Sequence, residues 1–292
     1  MNQYIDIILE KIKKEYSHSP PVWKKTRGWA SVPRARQQWI HKECHTESDF
    51  DTLRLRQRVL EKVKDPSASV TYATCRFGEV IAVFEAPSSE ADVPWELWGR
   101  IFRMYSRPSS PPFTLYFLAS SSHREFPSST RESIRPQHIN GGYTFPCEHH
   151  SIVIYRAEDA TRVLLHELQH ASCLDHHERG IDRVEAETEA WAELLYTGLL
   201  SKGLPTRWKP IWQRQWNWIR QQNKHVQHHM KSPLSMEFPW RYTLGKEQVL
   251  REWFHSLPKE SPLFGMSSLR LTAPPTLSQK KEHHISPTSV IL

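Results

Sequence analysis

Apolar positions change their spacing several times along the chain, and each change marks an element. Ile5, Ile8, Leu9 and Ile12 recur at helical spacing, as do Leu53, Leu55, Val59, Leu60 and Val63, which predicts a basic helical region over residues 1–66. Over 70–85 the pattern turns to β-branched and aromatic residues on both sides of Gly78, predicting two short strands around a turn. Asp92 and Pro94 then start a helix that carries Trp95, Trp98, Ile101 and Phe102 on one side. Strands are expected at 113–119 and 151–155, and helices at 158–173, 184–200, 206–222 and 246–255. After Leu257 the periodicity ends in Ser, Pro, Lys and Thr, so 258–292 reads as a disordered tail. Residues 67–257 are left as the main domain, of α+β class with a small mixed sheet.

Composition narrows the classes of function. The apolar runs at 80–84 and 114–119 are far below the ~18 residues of a membrane span. Charges interrupt the apolar stretch of residues 1–20, so no secretory leader is expected and a cytoplasmic location is. None of the 10 glycines forms GxGxxG or GxxxxGK(S/T), which argues against a nucleotide-phosphate loop. Cys44, Cys75, Cys147 and Cys173 stand singly without a CxxC pair, a usage expected of reduced thiols.

The strongest chemical signal is His166-Glu167-Leu-Gln-His170, an HExxH match on the predicted 158–173 helix. An i,i+4 pair sets two imidazoles one turn apart on one face, where both reach a single Zn²⁺. Glu167, beside the first of them, is placed to take a proton from an activated water and return it to the leaving amine. The chain holds 17 histidines, which weakens the bare spacing, but Ala160, Val163, Leu164, Leu168 and Ala171 supply the buried stripe that such a helix needs.

A third protein ligand is required, and three residues compete for the place. Glu189 follows His170 at gluzincin-like spacing on the next helix, with Glu185 and Glu193 one turn to either side. So many carboxylates on one helix repel each other unless a cation resolves them. Glu189 is the favoured ligand, with Glu185 or Glu193 orienting a histidine. The rival is His176, at the metzincin spacing HExxHxxGxxH, except that Cys173 stands where that pattern needs a glycine to turn. An oxyanion donor is also needed, and Tyr242 is the leading candidate beside His225, His228 and His229.

Taken in order, Asn140-Gly-Gly-Tyr-Thr144, Ile152-Val-Ile-Tyr-Arg156, Val163 to His170, Leu174-Asp175 and Glu185-x-x-x-Glu189-x-Trp-Ala192 resemble a zinc metalloprotease family of large DNA viruses. The resemblance covers about residues 110–200, and more loosely 230–255. It implies a zincin-like α+β fold with an HExxH helix and a second ligand-bearing helix. It also implies a Glu-type third ligand, because that family often carries an aromatic where His176 stands here. Phe238 to Tyr242 occupies the place of a segment in which the family carries a tyrosine, although this sequence departs from the pattern there. A viral origin would put the protein in the host cytoplasm or the virion.

The remaining features read more plainly. Cys147-Glu-His-His150 has no matching Cys/His pair and reads as a loop. Trp212, Trp216 and Ile219 form a buried stripe within a basic, Trp-rich segment, which favours core packing over nucleic-acid binding. The net charge of +7 is uneven, since residues 158–193 hold 10 acids and 3 bases while 201–256 hold 10 bases and 3 acids. The basic flanks favour an acidic partner. The expectation is therefore a zinc metallopeptidase acting on a protein or peptide, with the basic flanks favouring an acidic one. The alternative is a metal-stabilised binding or virion-structural protein with the same fold and no catalysis.

Overall fold

In the computed structural model, which describes residues 3–65, 68–85, 92–232, 236–254, 256–259 and 268–274, every residue of strand β4 (Phe113–Ala119) is buried. The reason is position. Together with β1 (Lys24–Arg27), β2 (Val70–Cys75), β3 (Gly78–Phe84), β5 (Gly142–Tyr143) and β6 (Ile152–Ile154), it builds a six-stranded sheet in the order β1-β2-β3-β4-β6-β5. β3, β4 and β6 run parallel at its centre, while β1, β2 and β5 are antiparallel to their neighbours. Helices cover both faces, so the central strands carry almost continuous apolar sequence.

Alternate side chains feed two cores. Val80, Ala82, Phe84, Leu115, Phe117, Ile152 and Ile154 join the larger core, to which α1 (Gln3–Tyr16), α4 (Trp95–Tyr105), α6 (Ala160–Ala171), α7 (Ile181–Leu200), α8 (Pro205–His228) and α9 (Leu244–Trp253) contribute. Ile81, Val83, Tyr116, Leu118, Val153 and Tyr155 face the smaller core with α2 (Arg34–His45) and α3 (Leu55–Glu61). A short helix α5 (Pro136–Ile139) precedes β5.

Three expectations need correction. Within the segment assigned to 1–66, the described residues 3–65 do not stand apart, because α1 inserts Ile5, Ile8, Leu9 and Ile12 into the larger core and β1 extends the sheet. Gly198 of α7 makes that approach possible, since a Cβ there would lie 2.6 Å from Ile12 Cδ1. The turn of the first hairpin falls at Arg76 and Phe77, with Gly78 already paired to Cys75. The assigned tail is partly packed: Leu269 and Leu271 are buried, and Leu271 N donates to Asp159 Oδ2 at 2.7 Å. Two apolar residues are too few to show a period; residues 260–267 and 275–292 lie outside the described residues.

The Trp-rich helix is core. Trp208, Trp212, Trp216, Trp218 and Ile219 are all buried, and Arg220 pairs with Glu247 at 3.3 Å. Among the described residues, no helix is long and apolar enough to cross a membrane.

Candidate metal centre

The candidate centre lies where α6 and α7 meet beside β5. Chain reversal after α6 starts with Ser172 and Cys173 and ends at Gly180, whose φ of +79° glycine adopts without strain. α6 then presents His166, Glu167 and His170, all buried, towards the first turns of α7.

The Nε2 atoms of His166 and His170 lie 3.0 Å apart. Glu185 reaches both, with Oε2 3.4 Å from His166 Nε2 and Oε1 3.8 Å from His170 Nε2. These three side chains offer ligand atoms that all lie within 4.8 Å of one another. Two ligands on a tetrahedral zinc at about 2.0–2.1 Å stand roughly 3.3 Å apart, so the spacing and the N,N,O donor set both fit that ion.

The opposite edge of each ring meets a carboxylate. His170 Nδ1 donates to Asp175 Oδ2 at 2.6 Å, and His166 Nδ1 lies 3.0 Å from Glu189 Oε1. The bond to Asp175 holds the His170 ring with Nε2 turned inward, and Glu189 stands behind His166 as its charge partner. The favoured ligand Glu189 is therefore not the carboxylate that joins the imidazole pair; that place falls to Glu185. Arg162, one turn before His166, donates to Glu189 Oε1 at 2.8 Å and also binds Oε2, holding the carboxylate behind the ring. Arg162, Lys246, Glu189 and Glu193 form a fully buried two-and-two network, closed by Lys246 Nζ donating to Glu193 Oε2 at 3.0 Å.

His176 also stays out. Its side chain is 63 % exposed and pairs with Glu178 at 3.3 Å. The objection raised against cysteine at 173 fails, since Cys173 does adopt a left-handed φ of 52°, yet the turn still carries His176 into solvent. Neither Asp175 nor Arg162 stood out in the sequence. Only the segment Leu174-Asp175, in the family resemblance, pointed at the former.

Electrostatics follow from this crowding. Burial works against an imidazolium at His166, but the carboxylates of Glu185 and Glu189 outweigh it and raise the ring to about 10. Burial would raise Glu185 and Glu189, yet both are lowered: Glu185 by the two imidazoles, Glu189 chiefly by Arg162 and His166. Glu167 goes the other way. Burial, against the pull of His166 and His170, lifts its carboxyl to about 7.

Tyr242 reaches the site. It lies in a 3-10 turn (Phe238–Tyr242) and lines the same cleft of ≈ 380 Å³ as His166, Glu167, His170 and Glu185. Burial pushes its phenol well above 10, helped by Glu185. The other donor candidates lie elsewhere: His225 and His228 are exposed, and His229 Nδ1 meets Glu132 O at 3.0 Å.

β5 closes the cleft. A Cβ on Gly142 would lie 2.7 Å from Val163 Cγ1 and 2.9 Å from Val153 O, so only glycine lets this strand lie against α6. The same position is 3.4 Å from Glu167 Oε1, which sets β5 beside the general-base candidate. Beyond β5, Cys147 forms a disulfide with Cys173, correcting the expectation of four separate thiols; a contact across 26 residues leaves no local pattern. In the same segment His149 stacks on Phe113, and His150 Nδ1 lies 3.3 Å from Thr114 Oγ1. Cys44 and Cys75 are free.

Comparison with protein-family models, with curated proteins and with solved structures finds no match to this chain. The functional reading therefore rests on the geometry of the site.

Proposed function

We propose that this chain is a zinc-dependent peptidase in which His166, His170 and Glu185 hold the ion and Glu167 is the general base. The observation that carries this reading is the pair of buried Nε2 atoms 3.0 Å apart, facing one carboxylate and each backed by another. The chain's own surroundings favour a cation there. Four carboxylates, Glu167, Asp175, Glu185 and Glu189, crowd two imidazoles in a buried space. A zinc ion would supply the Lewis acidity, polarising a peptide carbonyl and acidifying a water.

The residues around it have distinct tasks. Glu167, buried in the cleft beside His166, is the carboxylate placed to accept a proton and then release it to the amine. Tyr242 keeps its proton and is the hydroxyl donor for the oxyanion. β5 ends the sheet, so its outer edge offers main-chain groups to an extended peptide, laid across the cleft as an added strand.

The walls give the substrate a character. Phe50, Phe145 and Ile181 are among the large apolar side chains left exposed, and all three line this cleft with Tyr143 and Val184. Apolar side chains next to the scissile bond fit these walls. Kinship with the metalloproteases of large DNA viruses, and a cytoplasmic or virion location, belong to the same proposal. Zinc content of the purified chain, with cleavage of a peptide library before and after chelation, tests it. Cleavage lost on chelation and restored by zinc is the expected result.

A further inference from the structure

The disulfide joins two segments that frame the cleft. Cys147 directly follows residues 143–146, which line the cleft from the end of β5 onward, and Cys173 is the second residue beyond α6, which carries both imidazoles. Their Cα atoms are 4.8 Å apart. Both main-chain amides donate to one acceptor, the carbonyl of His170, at 2.9 Å from Cys147 and 3.1 Å from Cys173. The bond thus clamps the cleft wall onto the last turn of the metal-binding helix.

Two observations set this bond apart from a passive staple. Cys147 and Cys173 both hold left-handed backbone, with φ of 64° and 52°, a conformation that residues with a β-carbon adopt rarely and leave readily once the constraint is gone. Both residues are exposed, so small thiols and disulfides reach the sulfurs. The other two cysteines are poor competitors for exchange: burial raises Cys75 and pushes Cys44 up to about 12, which keeps them as thiols.

We propose that Cys147–Cys173 is a reversible redox latch that holds the cleft wall 143–147 against α6 when oxidised and releases it when reduced. Its consequence for zinc and hydrolysis rests on the metallopeptidase reading; the latch itself does not. Closing needs an oxidant of the low-molecular-weight disulfide class, such as glutathione disulfide. One protein thiolate attacks it, forming a mixed disulfide and expelling one glutathione. The second cysteine then attacks the protein sulfur, forming the Cys147–Cys173 bond and expelling the other glutathione, so two electrons and two protons leave the protein. Reduced glutathione runs the steps in reverse.

The test equilibrates the full chain in glutathione buffers of graded ratio and traps free thiols by alkylation and mass spectrometry. After removal of glutathione, it reads hydrogen exchange over 143–148 and zinc affinity by competition with a chromogenic chelator. Wild type is compared with Cys147→Ser/Cys173→Ser. The expected result is interconversion at 147 and 173 in a chain that stays folded by circular dichroism. In the reduced form exchange over 143–148 is at least tenfold faster and zinc affinity at least tenfold weaker, and the double variant matches that form in every buffer. The proposal is overturned if the bond persists until the chain unfolds globally. It is overturned equally if the reduced chain keeps the protection of the oxidised one. Zinc bound by neither form would sink the metallopeptidase reading, while hydrogen exchange would still decide the latch.

Discussion

Arg162 Nη1 lies 2.8 Å from Glu189 Oε1, and that same oxygen lies 3.0 Å from His166 Nδ1. One buried cation thus fixes which of two neighbouring carboxylates stands behind the imidazole and which faces the candidate metal position. Replacing Arg162 by Met leaves Lys246 as the one cation shared by Glu189 and Glu193, with His166 beside Glu189 alone. The loss expected is about 3–5 kcal/mol, because a buried charge is left without its partner. Urea unfolding of Arg162→Met measures it, and adding Glu189→Gln should recover part of the loss. Equal stability of wild type and Arg162→Met would show that the network carries no such weight.

Ligand and orienting roles separate by magnitude. Glu185→Ala should lower zinc affinity by more than Glu189→Gln or Asp175→Asn, each of which should cost about 10–100-fold because only ring orientation is lost. His176→Ala should leave affinity unchanged. Competition with a chelator ranks all four. An order with Glu189 above Glu185 would return Glu189 to the ligand set.

That choice shows where sequence reasoning stopped. His166, Glu167 and His170 were legible because an i,i+4 pair on a helix fixes its own geometry. Glu185 and Glu189 share a face one turn apart, and local spacing treats them alike. The difference comes from Arg162, 27 residues before Glu189, whose role no periodicity announces. The central strands and the long helices were readable from their apolar spacing. β1 and β5 were not: β1 is exposed throughout and β5 has only two residues, so neither carries a pattern. Cys147–Cys173 and the packing of Leu269 and Leu271 are likewise contacts between distant segments.

Proton linkage gives the metal-free chain a distinctive response to pH. His166 is raised to about 10 in the folded chain, so the stability it contributes is complete below its ordinary value near 6.5 and lost as pH rises through 10. Glu167 is an acid raised to about 7, so the folded chain binds its proton more tightly than the unfolded one, and that stability too is lost as pH rises through 7. The melting temperature without zinc should therefore fall from pH 6 to pH 9. Zinc displaces the proton on His166, so the melting-temperature gap between loaded and free protein should widen over the same range. Scanning calorimetry at several pH values decides; a gap independent of pH would contradict the proton count.

Gly142→Ala tests the approach of β5 to the helix. The added methyl meets Val163 and the Val153 carbonyl and has nowhere to go. A destabilisation of about 1–3 kcal/mol is expected from the overpacking. Peptide hydrolysis should fall further than stability alone explains, because the strand that would seat the substrate has moved off Glu167. Unchanged hydrolysis in a stably folded Gly142→Ala would remove β5 from the substrate site.

The central claim is tested by Glu167→Gln beside wild type, with zinc content and peptide hydrolysis measured on the same preparations. The substitution keeps the shape of the side chain and removes its ability to take a proton. The account predicts one zinc per chain in both proteins, hydrolysis in wild type and its loss by about 10²-fold or more in the variant. Zinc in both proteins with equal hydrolysis, or with none in either, would contradict it.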